Sequence, residues 1–369
     1  MKSRYFIIPS MVLSLLSGCN SKKQNNNNQQ DPNDLTERLD NSNLFHYFGR
    51  HAFNNGKARF AFSGTGFEIK LNVLKETNSV TFKIDSSSTQ YVYIYIDGEE
   101  PKEKLKLTSD VKTYELTKDL TVGTHYLRFV KLDEVSSSIT LDSFSLVGCS
   151  IAKYDIKYEK RIGFYGDSIT CGYGTDGTRN DKFSPEVENY AHSYAYQCAK
   201  ELNYDYSTVS RSGISVCMNY WDEQYYFRDL YETLDGSNKY DIKNDAVDIA
   251  VIALGTNDNT KFVTYTAEEQ KTKADELYRN YVSIAERIRT VNPKTQFFFA
   301  YNMMLSQNGL ITLSMQGAVN YLKNNYGDNT AYLFELTPNS SGVDAHPGGE
   351  ASMNHGEEIA EFIKNPIDL

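Results

Sequence analysis

Apolar and polar positions alternate with a period of two across residues 44–148, in short runs separated by Gly, Asp, Ser and Pro. The run Tyr91-Val92-Tyr93-Ile94-Tyr95-Ile96 is the clearest. As a strand it puts Val92, Ile94 and Ile96 on one face and the three tyrosines on the other, and Asp97-Gly98 turns the chain. Lys104-Leu105-Lys106-Leu107 repeats the alternation in simpler form. No helical pattern of comparable length interrupts this region, so residues 44–150 are expected to form a β-sandwich of about 100 residues.

After residue 154 the rhythm changes to apolar strand, loop and amphipathic helix. Strands are predicted at 161–165, 207–210, 247–254, 296–301 and 331–335, and helices at 190–202, 267–291, 311–325 and 349–363. The run Val247-Asp248-Ile249-Ala250-Val251-Ile252-Ala253-Leu254 is nearly all apolar, as in a parallel sheet covered on both faces. Residues 154–369 therefore read as a doubly wound parallel sheet with helices on both faces, an α/β layer structure. Ligands in such sheets bind beyond the carboxyl ends of the strands, which directs attention to the loops there.

Composition agrees with two domains: 369 residues, 40% apolar, support more than one hydrophobic core. A net charge of −10 argues against a nucleic-acid partner, which would require clustered Lys and Arg. The 28 tyrosines carry a stacking face and a hydroxyl suited to sugars, although β-strand preference accounts for most of them. At the N-terminus Lys2 and Arg4 precede an apolar stretch of about 12 residues, too short to span a bilayer, which needs about 20. The closing Leu16-Ser17-Gly18-Cys19 resembles a bacterial lipobox, after which Cys19 would be the lipid-carrying first residue. An ordinary secretory signal with an incidental Cys is the alternative, and both export the protein. Residues 20–34 are rich in Asn and Gln and cannot bury enough surface to fold, so a disordered tether is expected through residue 43. The remaining cysteines, Cys149, Cys171, Cys198 and Cys217, contain no C-x-x-C pair, and disulfides and buried small hydrophobes are equal accounts of them.

Three strand ends carry candidate chemistry. Gly166-Asp167-Ser168 follows the first α/β strand, and the glycine leaves the Ser168 hydroxyl exposed at the sheet edge, where a base would make it a nucleophile. Gly255-Thr256-Asn257-Asp258 follows the strand at 247–254 and brings a side-chain amide to the same edge, the group that stabilises an oxyanion in acyl transfer. Asp344-Ala345-His346-Pro347 lies before the last helix and offers an imidazole as general base. Each alone has a plain reading, as an N-cap, a turn or a bystander histidine. Their order along one α/β layer makes coincidence a poor account. Asp344 is the candidate orienter of His346, and a backbone carbonyl at Nδ1 is the alternative. Asp167 and Asp258 are expected to tie down their turns. The other histidines lack metal-ligand spacing, so neither metal nor cofactor is called for.

These residues resemble the SGNH (GDSL-type) hydrolases, whose four blocks supply Ser, Gly, Asn and His. The resemblance implies Ser168 as nucleophile, His346 as base, and an oxyanion hole from the Ser168 and Gly213 amides and the Asn257 side chain, with Gly213 standing in Ser210-Arg211-Ser212-Gly213. Over nearly the whole mature chain the sequence is similar to carbohydrate esterase family 2, acetyl and acetylxylan esterases with an N-terminal jelly-roll sandwich. Phe62-Ser63-Gly64-Thr65-Gly66-Phe67-Glu68, Tyr95-Ile96-Asp97-Gly98, the segment Gly166 to Gly174 and the Asp-x-His-Pro spacing carry that similarity. Ala345 departs from the aromatic residue common between that Asp and His. The implied substrate is an acetylated polysaccharide or oligosaccharide. Tyr220, Trp221 and Tyr225, after the Gly213 loop, are candidates for stacking on a sugar ring. Membrane contact is expected only through the lipid on Cys19, at the cell envelope or bacterial outer membrane. The competing functions are a lipase or lysophospholipase and a catalytically inert glycan-binding lipoprotein.

Overall fold

A computed structural model describes residues 36–219 and 224–366. The signal segment with Cys19, and the tether up to residue 35, lie outside the described residues. The last part of the expected tether, residues 36–43, is folded instead. Leu39 is buried in the sandwich core, the Asn41 amide donates to the Thr36 carbonyl, and the Asn41 side-chain oxygen accepts the Asn43 N–H. One apolar anchor and an Asx turn suffice to hold so short a segment down.

Two antiparallel sheets form the N-terminal sandwich. One runs in space through Phe45–Phe48, Gly66–Val73, Gly123–Lys131, Gln90–Ile96 and Leu105–Leu107. Its strand Gly66–Val73 shares one edge between Phe45–Phe48 and, further along, Cys149–Ala152. The other sheet runs through His51–Asn54, Lys57–Phe60, Ile139–Val147, Ser79–Ser86 and Val111–Lys118. Between them Phe67 stacks on Phe82 and Phe129 at centroid distances of 5.1 and 5.2 Å. Val92 joins this core, as the alternation predicts. The opposite face of the same strand does not meet water: Tyr91, Tyr93 and Tyr95 are all buried against the second domain, in a cluster with Tyr190, Tyr194, Tyr196 and Tyr206.

The second domain is a five-stranded parallel sheet in the order Asp205–Ser210, Arg161–Gly166, Ile249–Ala253, Gln296–Tyr301, Ala331–Glu335. Tyr194–Leu202 and Gly349–Lys364 pack together on one face, and Ala267–Arg289 and Gly309–Tyr326 on the other. The predicted helix at 190–202 is divided, because Ser193 is in extended conformation and caps the Tyr196 N–H, leaving Tyr190–His192 as a separate 3-10 turn. The chain starts at Arg161–Gly166 and adds strands to both sides of it, so the order reverses there and the loops after its neighbours splay apart. All four cysteines of the described residues are free, three of them buried.

The domains meet through an interlocked face. Gly64 lies so close to the Tyr190 ring that a Cβ would sit 2.2 Å from a ring carbon, and Tyr206 donates its hydroxyl to the Gly64 carbonyl at 2.8 Å. Arg50, from the sandwich, is completely buried in the second domain. Its Nε is 2.7 Å from the Asp245 carboxylate and its Nη1 donates to the Tyr231 and Thr233 carbonyls. Removing one partner from a buried, hydrogen-bonded ion pair costs roughly 3–5 kcal/mol, and here it would leave the Tyr231 and Thr233 carbonyls without their donor and Asp245 with Arg161 alone. Arg50→Ala should lose stability in that range, with both domains unfolding in one transition; denaturant unfolding followed by fluorescence measures it, and a loss below about 1 kcal/mol would contradict the interlock.

Candidate active site

Ser168 opens the short helix Ser168–Cys171 directly after Arg161–Gly166, and Asp167 caps it by accepting the Ile169 N–H at 3.0 Å. The Ser168 hydroxyl is 2.8 Å from His346 Nε2, although the two residues are 178 positions apart. They are brought together by close passage of two loops: Gly174, at φ +66°, lies where a Cβ would sit 2.5 Å from the Val343 Cβ. The Gly349 N–H also bonds the Thr175 carbonyl at 2.9 Å.

The histidine is oriented by main chain and not by Asp344. The Val343 carbonyl accepts the His346 N–H at 3.0 Å and faces Nδ1 at 3.1 Å. This assigns the proton to Nδ1 and the lone pair to Nε2, facing the serine. The expected carboxylate–imidazole contact is corrected: Asp344 accepts the Tyr173 hydroxyl at 2.8 Å. The reason is the turn. Asp344 and Ala345 have φ of +50° and +60°, the pattern of a type I′ turn closed by the Val343 carbonyl, which carries the carboxylate away from the ring. Asp tolerates that conformation; for Ala it costs about 1–2 kcal/mol. The Tyr173 ring lies 4.4 Å from the imidazole and is backed by Phe183 at 4.0 Å, so aromatic cover reaches His346 from the nucleophile segment while Ala345 supplies none. Burial lowers the His346 pKa from 6.5 against the opposing effect of its backbone hydrogen bonds, leaving the free base at neutral pH.

The remaining predicted groups gather at the neighbouring strand ends. Gly213 has φ +77° in a turn closed from the Ile214 N–H to the Arg211 carbonyl at 3.2 Å, and space is open on its Cβ side. Asn257 donates its amide to the Ile214 carbonyl at 3.0 Å and, at the longer distance of 3.3 Å, to Asp167. Asp258 accepts three successive amides, those of Val216, Cys217 and Met218, at 2.8 to 2.9 Å. Burial pushes the Asp167 and Asp258 carboxyls up to about 7 and about 6. Both aspartates thus tie down turns. Tyr225 is half-buried, its hydroxyl committed to the Gly236 carbonyl and its ring under the Arg211 guanidinium at 5.1 Å, an arrangement of packing. Tyr220 and Trp221 lie outside the described residues. Sequence reasoning missed Tyr173, and it offered a backbone carbonyl as the alternative orienter without naming Val343. Tyr173 stands inside the nucleophile segment, where its spacing gives no hint of a histidine contact, and a carbonyl carries no residue signal.

A serine and a carbonyl-held histidine at the switch point of such a sheet suit a serine hydrolase, and residues 164–333 match the GDSL-like lipase/acylhydrolase family. Residues 47–151 match the N-terminal domain of carbohydrate esterase 2, so the chain belongs to carbohydrate esterase family 2, with its sandwich and hydrolase domains in that order. It is 30% identical over 332 residues to the cellulase/esterase CelE of Acetivibrio thermocellus, covering 87% of this chain and 39% of that protein. An acetylxylan esterase/glucomannan deacetylase of Cellvibrio japonicus is 23% identical over 217 residues, 56% of this chain and 59% of its own. The matches thus span less than two thirds of these relatives. The structure of a family two carbohydrate esterase from Clostridium thermocellum in complex with cellohexaose superposes with a TM-score of 0.78 at 26% identity, over 87% of this chain and 98% of that one.

Because a carbonyl already holds Nδ1, Asp344→Asn should lower kcat on 4-nitrophenyl acetate by less than about tenfold, where loss of a triad aspartate costs about 10⁴. The acid limb of kcat/KM should fall below 6.5 in both proteins, since a lowered imidazole pKa keeps the base free as pH drops. A limb above 6.5, or a loss of several orders of magnitude, would restore the carboxylate as orienter.

Proposed function

We propose that this protein is a serine esterase that removes O-acetyl groups from a plant-type polysaccharide or its oligosaccharides. The observation that carries the reading is the Ser168–His346 contact of 2.8 Å with Nδ1 committed to a carbonyl, in a chain of the carbohydrate esterase 2 family. The Ser168 oxygen attacks the acetyl carbonyl as its proton passes to Nε2. The C–O bond to the sugar then breaks, and the same proton goes to the leaving sugar oxygen. Water repeats the attack on the acyl-enzyme, with His346 as base, and releases acetate. Oxyanion stabilisation falls to the amides of Ser168 and Gly213 and to Asn257, whose long bond to Asp167 is the one it would surrender. The related acetylxylan esterase/glucomannan deacetylase and the cellohexaose complex support a β-linked plant glycan as substrate.

The test is release of acetate from acetylated xylan and glucomannan, alongside 4-nitrophenyl esters of short and long acids. Acetyl esters alone should be cleaved, and Ser168→Ala and His346→Ala should each lose nearly all activity while remaining folded. Preference for long-chain esters would favour a lipase, and no hydrolysis at all a binding protein.

Export and lipid anchoring through Cys19 belong to the same proposal, resting on the charged, apolar and Leu-Ser-Gly-Cys segments in order. Labelled palmitate should enter the wild-type protein in a bacterial host and not Cys19→Ser; equal labelling of both would exclude the anchor.

A further inference from the structure

The loop that carries Gly213 is held from two sides. Behind it, Asp258 takes three amides and Asn257 the Ile214 carbonyl, all within the hydrolase domain. In front of it stands a residue of the sandwich: Glu134 accepts the Ser212 N–H at 2.8 Å. Glu134 follows the strand Gly123–Lys131, and its own main chain is fixed in turn. Fully buried Lys131 donates its ammonium to the carbonyls of Asp133 and Glu134 at 2.6 and 2.9 Å, and Asp133 accepts the Tyr91 N–H.

The turn from Arg211 to Ile214 has its positive φ at the third residue, as in type II. Types I and II differ by a flip of the central peptide, here the one between Ser212 and Gly213, which carries the Gly213 N–H. A flip would turn that N–H to the other side of the loop. Fixing the preceding Ser212 N–H on a carboxylate from a second, rigid domain opposes the rotation at its pivot.

We infer that Glu134 is a positioning residue for the esterase, a clamp through which the β-sandwich sets the direction of the Gly213 N–H; this rests on the esterase reading above. Glu134, Cys171 and Glu188 place side-chain atoms within 4.8 Å of one another. Burial pushes the Cys171 thiol and the Glu188 carboxyl up towards their protonated forms, and one Glu134 oxygen is spent on Ser212.

The experiment compares full-length wild type, Glu134→Ala and Glu134→Gln. Loss of an oxyanion donor costs about 10²–10³ in kcat, and a donor present but misdirected should cost less, roughly ten- to a hundredfold, with KM within about twofold. Glutamine keeps an oxygen that accepts the Ser212 N–H and should restore most of kcat. Amide hydrogen exchange of the segment containing Ser212 and Gly213 should accelerate in Glu134→Ala and not in Glu134→Gln, with thermal unfolding confirming that each variant is folded. A raised KM with kcat preserved would make Glu134 a substrate contact and overturn the clamp. Equal loss in both variants, or unchanged exchange in Glu134→Ala, would overturn it as well. If wild type cleaves no acetyl ester, the esterase reading falls, while the exchange measurement still decides whether Glu134 holds the loop.

Discussion

The burial of one face of the sandwich against the α/β layer is the constraint on which the rest depends. Tyr91, Tyr93 and Tyr95 give up solvent to pack on Tyr190, Tyr194, Tyr196 and Tyr206, and aromatic burial of this extent dominates the energetics of an interface. Such a face is non-directional by itself. Register comes from the polar groups within it: Arg50 reaches a carboxylate and two carbonyls that only one docking geometry supplies, and any slip would strand a buried charge.

From that fixed contact the active-site geometry follows. The sheet order puts the ends of Asp205–Ser210, Arg161–Gly166 and Ile249–Ala253 side by side, so Gly213, Ser168 and Asn257 arrive from three adjacent strands at the place where their loops diverge. The sandwich completes the arrangement from outside by presenting Glu134 to the Gly213 loop. The histidine comes from much later in the chain and is held by its own main chain. A carbonyl is a weaker partner than a carboxylate for the imidazolium formed during attack, but it fixes the same tautomer. Asp344, freed from that task, anchors Tyr173, whose ring covers the imidazole.

Periodicity located nearly all of the α/β layer, because buried parallel strands and amphipathic helices each impose their own repeat on the sequence. Strands Gln296–Tyr301 and Ala331–Glu335 fall where the apolar runs lie. The periodicity starts the helix at 190, ahead of its true start at Tyr194, because Ser193, a cap, looks like any polar residue inside a helical pattern. The Asn- and Gln-rich composition of residues 20–34 extends the expected tether to residue 43, yet Leu39 finds the sandwich core.

By itself the sequence pointed to two domains in this order and to Ser168, Asn257 and His346 as the candidates, because each stands at a strand end or loop with a local chemical signature. The alternation in residues 91–96 likewise determined which side of that strand is aliphatic. What lies against the tyrosine side, and which group orients His346, were decided only by tertiary structure. The first depends on a surface from residues far along the chain. The second depends on two backbone dihedrals, at Asp344 and Ala345, that turn a carbonyl toward the ring and a carboxylate away from it, and no choice of side chain in the sequence announces that exchange.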